Sequence, residues 1–237
     1  MKFNIPKRLP KVSDFDPLKI DCPPTDNIVH ASIAIVGESP SSVDATERIP
    51  FKDSAGSQLN RIFNHAKVPR YKLYLTYACK AMIPLGKDSK TNYGKLWTPK
   101  GFRCPEWYTL QESLMAELEH FNGKLIFLLG NTPMKLLLDD PRIDFVDKYH
   151  GSVYRAEEFP HLAERFKGKF FCISYCPSFT LPRNKPISFY TMLGEFQKFM
   201  DLEEDEELYD KTKVTIKTNP LLNEILSFYA RIKEGVA

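Results

Sequence analysis

The chain is poor in the features that mark several large protein classes. Its cysteines number five (Cys22, Cys79, Cys104, Cys172, Cys176), an odd count scattered without any CxxC pair, so a disulfide framework is not expected. Cys172 and Cys176 fall four residues apart in a stretch that reads as a strand. They would share a face yet lie ~13 Å apart along it, too far for one metal ion. No apolar run reaches the ~20 residues of a membrane helix, and the opening MKFNIPKRLPKVSDFDP lacks the apolar core of a signal peptide. The expectation is an intracellular protein, cytoplasmic or nucleoid-associated, with no membrane partner. Glycine is scarce as well, at 11 residues. The one glycine of GESPSS (37–42) cannot make the glycine-rich loop of an ordinary nucleotide-binding domain. No internal repeat is present.

What remains is a 237-residue chain with 43% hydrophobic and 27% charged residues, enough for one sizeable core. The net charge of +3 is unevenly placed. From Asp201 onward nine acids face five bases, which leaves the first 200 residues at +7, a body that suits a polyanion. Four apolar runs have the content of buried parallel strands: Ile28 to Gly37, Lys72 to Lys80, Lys124 to Gly130 and Lys169 to Tyr175. Helical patterns lie between them. One begins at Ser54, read as its N-cap, and carries Leu59, Ile62 and Phe63 on one face. A second has Trp107, Leu110, Leu114, Leu118 and Phe121, a third opens at Thr132-Pro133, and a last runs from Ile187 to Met200. Strand and helix alternating four times predict a three-layer α/β/α domain with a central four-stranded, mostly parallel sheet. The predicted organisation is an N-terminal extension (1–27) packing on the core, the α/β domain (28–200), and an acidic linker with a C-terminal amphipathic helix (201–237).

Ligands of such sheets bind beyond the carboxyl ends of the strands. Those ends are Gly37-Glu38-Ser39-Pro40-Ser41, Ala81-Met82-Ile83-Pro84, Gly130-Asn131-Thr132-Pro133 and Cys176-Pro177-Ser178. Residues 86–103 form a loop with Lys87, Lys90, Lys95, Lys100 and Arg103 against the single acid Asp88, a composition that faces a polyanion.

The segment GESPSSVDATERIPFKDSAGSQLN (37–60) resembles the first motif of the uracil-DNA glycosylase superfamily, in particular its thermophile-type iron-sulfur branch. Gly37, Glu38, Pro40, Pro50, Phe51, Ala55 and Gly56 match. The resemblance continues in order through YLTYACKAMIP, LLGNTPMKLLL, GSVYR and YCPSFTLPRN, and covers roughly residues 28 to 200. It implies an enzyme that flips a nucleotide from DNA and hydrolyses the bond between base and sugar, acting without further bond cleavage. Such chemistry needs negative charge against an oxocarbenium-like sugar, an oriented water, and donors for the departing base. On the resemblance, Asp44 is the foremost carboxylate and Glu38 the second; the alternatives are a turn cap for Asp44 and a loop tie for Glu38. Phe51 matches the aromatic on which the base stacks, against the alternative of core packing. Ser39, Tyr77 and Cys176 line the expected base pocket. Ser54, Ser57, Lys80, Asn131, Thr132, Arg183 and Lys185 are candidate DNA contacts, and Ser178, Phe179 and Leu181 fall on the loop that enters the minor groove.

The chain departs from the pattern where uracil is read. The family asparagine at the pyrimidine edge is Tyr77, and the histidine that donates to the base is Cys176, a poor donor. The cluster cysteines are missing too: Cys22 has no partner, Ala81 stands at a ligand position, and only Cys104 lies near another. The expectation is therefore no iron-sulfur cluster and no metal. Two functions fit these departures. One is a glycosylase recut for another base, for example a modified cytosine whose substituent takes the space left by the histidine. The other is an inactive glycosylase fold serving as a DNA-binding or replication-accessory module, in which the C-terminal segment docks a protein partner. The retained Asp44 favours the enzyme. A monomer is expected.

Overall fold

A computed structural model describes residues 16–83, 96–97, 103–181 and 189–204. The chain divides into two compact units, 1–204 and 205–237. The C-terminal helix expected over 220–233 and most of the basic loop lie outside the described residues.

The first unit is built on a five-stranded sheet in the order β2-β1-β3-β5-β4. Strands β1 (Ile33–Gly37), β2 (Leu73–Tyr77), β3 (Leu125–Leu129) and β5 (Phe170–Ser174) are parallel, every residue in them is buried, and together they are the four strands expected from the sequence. The fifth, β4 (Val153–Arg155), pairs antiparallel with β5 at the edge. Its three half-exposed residues are too few for a periodicity to register. The first apolar run is also shorter than its composition suggests. Asn27 starts a turn, its carbonyl accepting from His30 and Ala31, and pairing begins only at Ile33. Cys176 lies beyond β5, in a short 3-10 turn region that follows the strand, so it does not share the strand with Cys172.

Helices cover both faces. α2 (Ser54–His65) packs with α6 (Phe189–Glu204), which lies on β3 and β5; α3 (Trp107–Leu118) packs with α4 (Asn131–Leu138), which lies on β1 and β3. Phe127 of β3 meets Phe196 and Phe199 of α6 edge-on at 4.9 and 5.2 Å, and Phe63 of α2 closes on Phe196 at 5.4 Å. Burial of such rings is the main source of stability here. Two short helices, α1 (Ser42–Glu47) and α5 (Val146–Tyr149), complete the unit. Residues 21–27 run beside β2, with Asp21 and Cys22 donating to the Lys80 carbonyl and Thr25 exchanging hydrogen bonds with Leu75.

Candidate active site

The carboxyl ends of β1, β2, β3 and β5 bring the loops after each strand together, as the parallel topology requires. The loop after β1 is the most heavily tied. Ser41 caps α1, and Asp44 closes a capping box by accepting from the Ser41 backbone at 2.9 Å. The Asp44 carboxylate is only 2% exposed and accepts five hydrogen bonds. Three reach Oδ2, from the Ser41 N–H, the Ser41 hydroxyl and the Tyr77 hydroxyl; two reach Oδ1, from the N–H groups of Lys52 and Asp53. Asp44 thus caps the turn of α1, the alternative named for it, and also fastens the loop, and its five donors leave the carboxylate little capacity for a water.

Tyr77 ends β2 and reaches into the same loop. Its hydroxyl donates to Asp44 at 3.0 Å and accepts from the Phe51 N–H at 2.9 Å. Its ring stacks on Phe51 with centroids 4.9 Å apart and planes 26° off parallel. Both rings are buried, at 3% and 4% exposure. Burial, with Asp44 adding to it, pushes the Tyr77 phenol far above its usual range, so the hydroxyl stays a donor. Two glycines permit the stack. A Cβ on Gly37 would stand 2.7 Å from Phe51 and 2.8 Å from Tyr77, and one on Gly56 would stand 1.8 Å from the Phe51 carbonyl oxygen. Phe51 itself sits in the left-handed region at φ 52°. Phe51 therefore packs on the protein's own side chain, the alternative named for it from the sequence.

Arg70 secures the loop from behind, donating to the Asn60 side chain at 2.5 Å and to the Pro50 carbonyl at 2.6 Å. Nothing in the sequence pattern singles it out. Asp53, rather than Ser54, is the N-cap of α2 and accepts from the Gly56 N–H at 2.9 Å. Burial raises the Asp53 carboxyl, and Asp44 adds to the shift. Ser54 and Ser57 are exposed in the first turn of this helix, with the Ser57 hydroxyl donating back to the Asp53 carbonyl.

Glu38 lies differently. Its Oε1 accepts from the Thr132 hydroxyl at 2.5 Å, and Thr132 in turn accepts from the Trp97 indole at 2.9 Å. Burial pushes the Glu38 carboxyl up to about 7, with the Thr132 hydrogen bond pulling the other way. Oε2 takes no hydrogen bond from the described residues, nor is it among their sealed-off polar atoms. Cys176 is near enough for Glu38 and Asp53 to act on its thiol, which burial pushes up. Ser178 donates to the Cys176 sulfur at 3.2 Å. Ser39 is half-buried beside Glu38. Asn131 accepts from the Val146 N–H at 2.7 Å through its Oδ1, which leaves its amide NH2 as a donor.

Phe179 and Leu181 are half-buried on the turn after β5, the Phe179 ring lying 5.5 Å from that of Tyr175. Lys80 turns inward, in contrast to the phosphate contact expected of it. Its side chain is 14% exposed and its ammonium is used by Glu117 at 2.8 Å and by the Tyr77 carbonyl at 3.1 Å. Arg183 and Lys185 lie outside the described residues.

Cys172 is buried in mid-strand and Cys79 donates to the carbonyls of Pro17 and Ala81. Burial pushes Cys22 and Cys104 up to about 11 and Cys79 to about 12, so these are protonated thiols at neutral pH. Among the described residues no three His, Cys, Asp or Glu side chains gather as a metal site.

The loops that build this site fall within one continuous likeness to known proteins. The family model described as the uracil DNA glycosylase superfamily matches residues 23–198, from the segment beside β2 into α6.

Proposed function

From its membership of the uracil-DNA glycosylase superfamily, whose members are DNA glycosylases and therefore hydrolases acting on DNA, we propose that this chain is a monofunctional N-glycosylase for a base other than ordinary uracil, a modified cytosine being the leading substrate class. One observation carries the reading away from uracil. The aromatic face that the family resemblance assigns to the flipped base is covered by the Tyr77 ring, held at its hydroxyl by Asp44 and Phe51. Tyr77 stands where the family resemblance expects the uracil-reading asparagine, and the Phe51 face it covers is closed to a base of any kind. Ser39 and Cys176, which the resemblance assigns to the base pocket, are small side chains, which suits a base bearing a substituent.

In this reading Glu38 takes the leading catalytic role and Asp44 positions the loop. The Glu38 carboxylate stabilises positive charge growing on the sugar and takes a proton, at Oε2, from the water that attacks C1′. The electron pair of the breaking C1′–N bond leaves with the base, which Asn131 can meet with its amide donors and which is protonated from solvent. The products are an abasic site and the free base. Ser54 and Ser57, at the N-terminus of the twelve-residue helix α2, suit phosphate contacts, and the 178–181 turn suits the groove. No step requires a cluster.

The test is a panel of DNAs carrying uracil, hypoxanthine, thymine mismatches and hypermodified cytosines, scored for abasic sites beside Glu38→Gln. Abasic sites on a modified-cytosine DNA, lost in the variant, are expected. Excision of uracil alone would overturn the specificity. Because Asp44 has a structural use, its retention does not separate an enzyme from an inactive fold, and the second reading, a DNA-binding accessory module, keeps its place. It would be supported by salt-sensitive DNA binding without abasic sites on any member of the panel.

A further inference from the structure

Trp97 belongs to none of the motifs and is well away in sequence from the strand ends, yet it is joined to the site by two consecutive hydrogen bonds. Its indole N–H donates to Thr132 at 2.9 Å, and the Thr132 hydroxyl donates to Glu38 Oε1 at 2.5 Å. Both Trp97 and Thr132 are buried. An indole nitrogen can only donate, so Trp97 takes one of the two Thr132 lone pairs. The hydroxyl proton is then turned toward Glu38, and with the carboxyl ionised Oε1 is its acceptor.

The indole is itself held in place. Trp97 pairs with Arg103 in an antiparallel bridge, Arg103 is bound to Asp139 at 2.6 Å, and the Lys135 ammonium lies 4.8 Å above the indole ring. Among the described residues, the other titratable groups that act with Glu38 are the thiols of Cys79 and Cys176. Burial pushes both upward and keeps them neutral, so neither adds a charge beside it. Asp53, which also acts on Cys176, is of the same sign as Glu38.

We propose that Trp97 and Thr132 form a one-way hydrogen-bond relay that reserves Oε2 of Glu38 for the reacting water, with Trp97 a positioning residue acting through Thr132. By biasing Thr132 toward donating, Trp97 leaves Oε2 as the favoured seat of the proton on a protonated Glu38, and the donor at Oε1 favours the ionised form. Without the indole, Thr132 can rotate and accept from a protonated Glu38, which places the proton on the wrong oxygen and holds it more tightly. The catalytic consequence rests on the reading of Glu38 given above; the relay itself does not.

The relay is tested on the full chain without DNA, by following the Glu38 side-chain carbon in 13C-glutamate-labelled protein against pH, with Glu38→Gln identifying the resonance. Trp97→Phe, which keeps a ring but removes the donor, is expected to raise the midpoint about tenfold in proton affinity. Thr132→Val should raise it at least as much, and the double variant no further than Thr132→Val. Thr132→Ser should leave it in place. In the unmodified chain the Trp97 indole N–H resonance should titrate with the Glu38 midpoint, and should be flat in Glu38→Gln. An unshifted midpoint in folded Trp97→Phe, or an indole signal indifferent to Glu38, would overturn the relay. If the midpoints move as expected while no DNA yields abasic sites, the relay stands and the glycosylase reading fails. If abasic sites form and Trp97→Phe leaves the pH–rate profile and the midpoint unchanged, the enzyme stands without the relay.

Discussion

Asp44 illustrates how a residue type can point to chemistry while its surroundings assign it another task. Its five accepted hydrogen bonds bind α1, the Phe51 loop and β2. Asp44→Ala would leave several buried donors without a partner, so a loss of ~3 kcal/mol is expected, read as a fall of roughly 10 °C in a thermal melt. A purely catalytic Asp44 would leave the melt unchanged. Tyr77→Phe keeps the stack and removes the hydroxyl; it should cost ~1–2 kcal/mol by orphaning the Phe51 N–H. Glu38 gives a prediction in pH. Its carboxyl titrates near 7 in the fold against 4.5 ordinarily, so between these values the native chain holds a proton that the unfolded chain has lost. Stability therefore falls as pH rises from about 4.5 to 7 and is flat above. Glu38→Gln should remove that slope and be ~1–3 kcal/mol more stable than the parent at pH 8 by denaturant titration. Activity dependent on the Glu38 carboxylate rises with a midpoint near 7, so a rate profile that is level from pH 5 to 8 would exclude Glu38 as the base.

At the scale of elements, the buried strands were legible because a strand covered on both faces must be continuously apolar. Their ends were not, since Asn27 and the residue pairing set them. β4 was invisible as a strand, being three residues held by β5 rather than by its own pattern. The start of α2 shows a similar limit. Asp53 and Ser54 are both good caps by type, and only the fold of the Phe51 loop decides for Asp53. That loop also makes Gly56 indispensable. Gly56→Ala would drive a Cβ to 1.8 Å from a backbone oxygen, so the loop or the helix must move. A loss of ~3 kcal/mol or more is expected, with loss of any activity, measured by melting and the abasic-site assay. A variant as stable as the parent would mean that the loop does not sit against α2 as described.

For the whole molecule, the +7 carried by the first 200 residues predicts DNA binding that weakens with salt. The logarithm of the association constant should fall linearly with the logarithm of salt concentration, by about 0.9 for each phosphate neutralised on duplex DNA. Affinity insensitive to salt would contradict the charge reading. Lys80 should contribute nothing to that slope, because Glu117 already neutralises it. The layered α/β architecture and the superfamily were both determined by the sequence itself, because hydrophobic patterning and motif order are properties of neighbouring residues. Only the tertiary structure decided that Tyr77 lies on Phe51, that Asp44 joins the loop to β2 through Tyr77, that Glu38 Oε2 takes no hydrogen bond from the described residues, and that Trp97 reaches Glu38 through Thr132. The contacts that join these pairs span 26 to 94 positions, and a hydrogen bond's direction and a carboxyl's solvation are set by what the fold brings alongside, which no local pattern encodes.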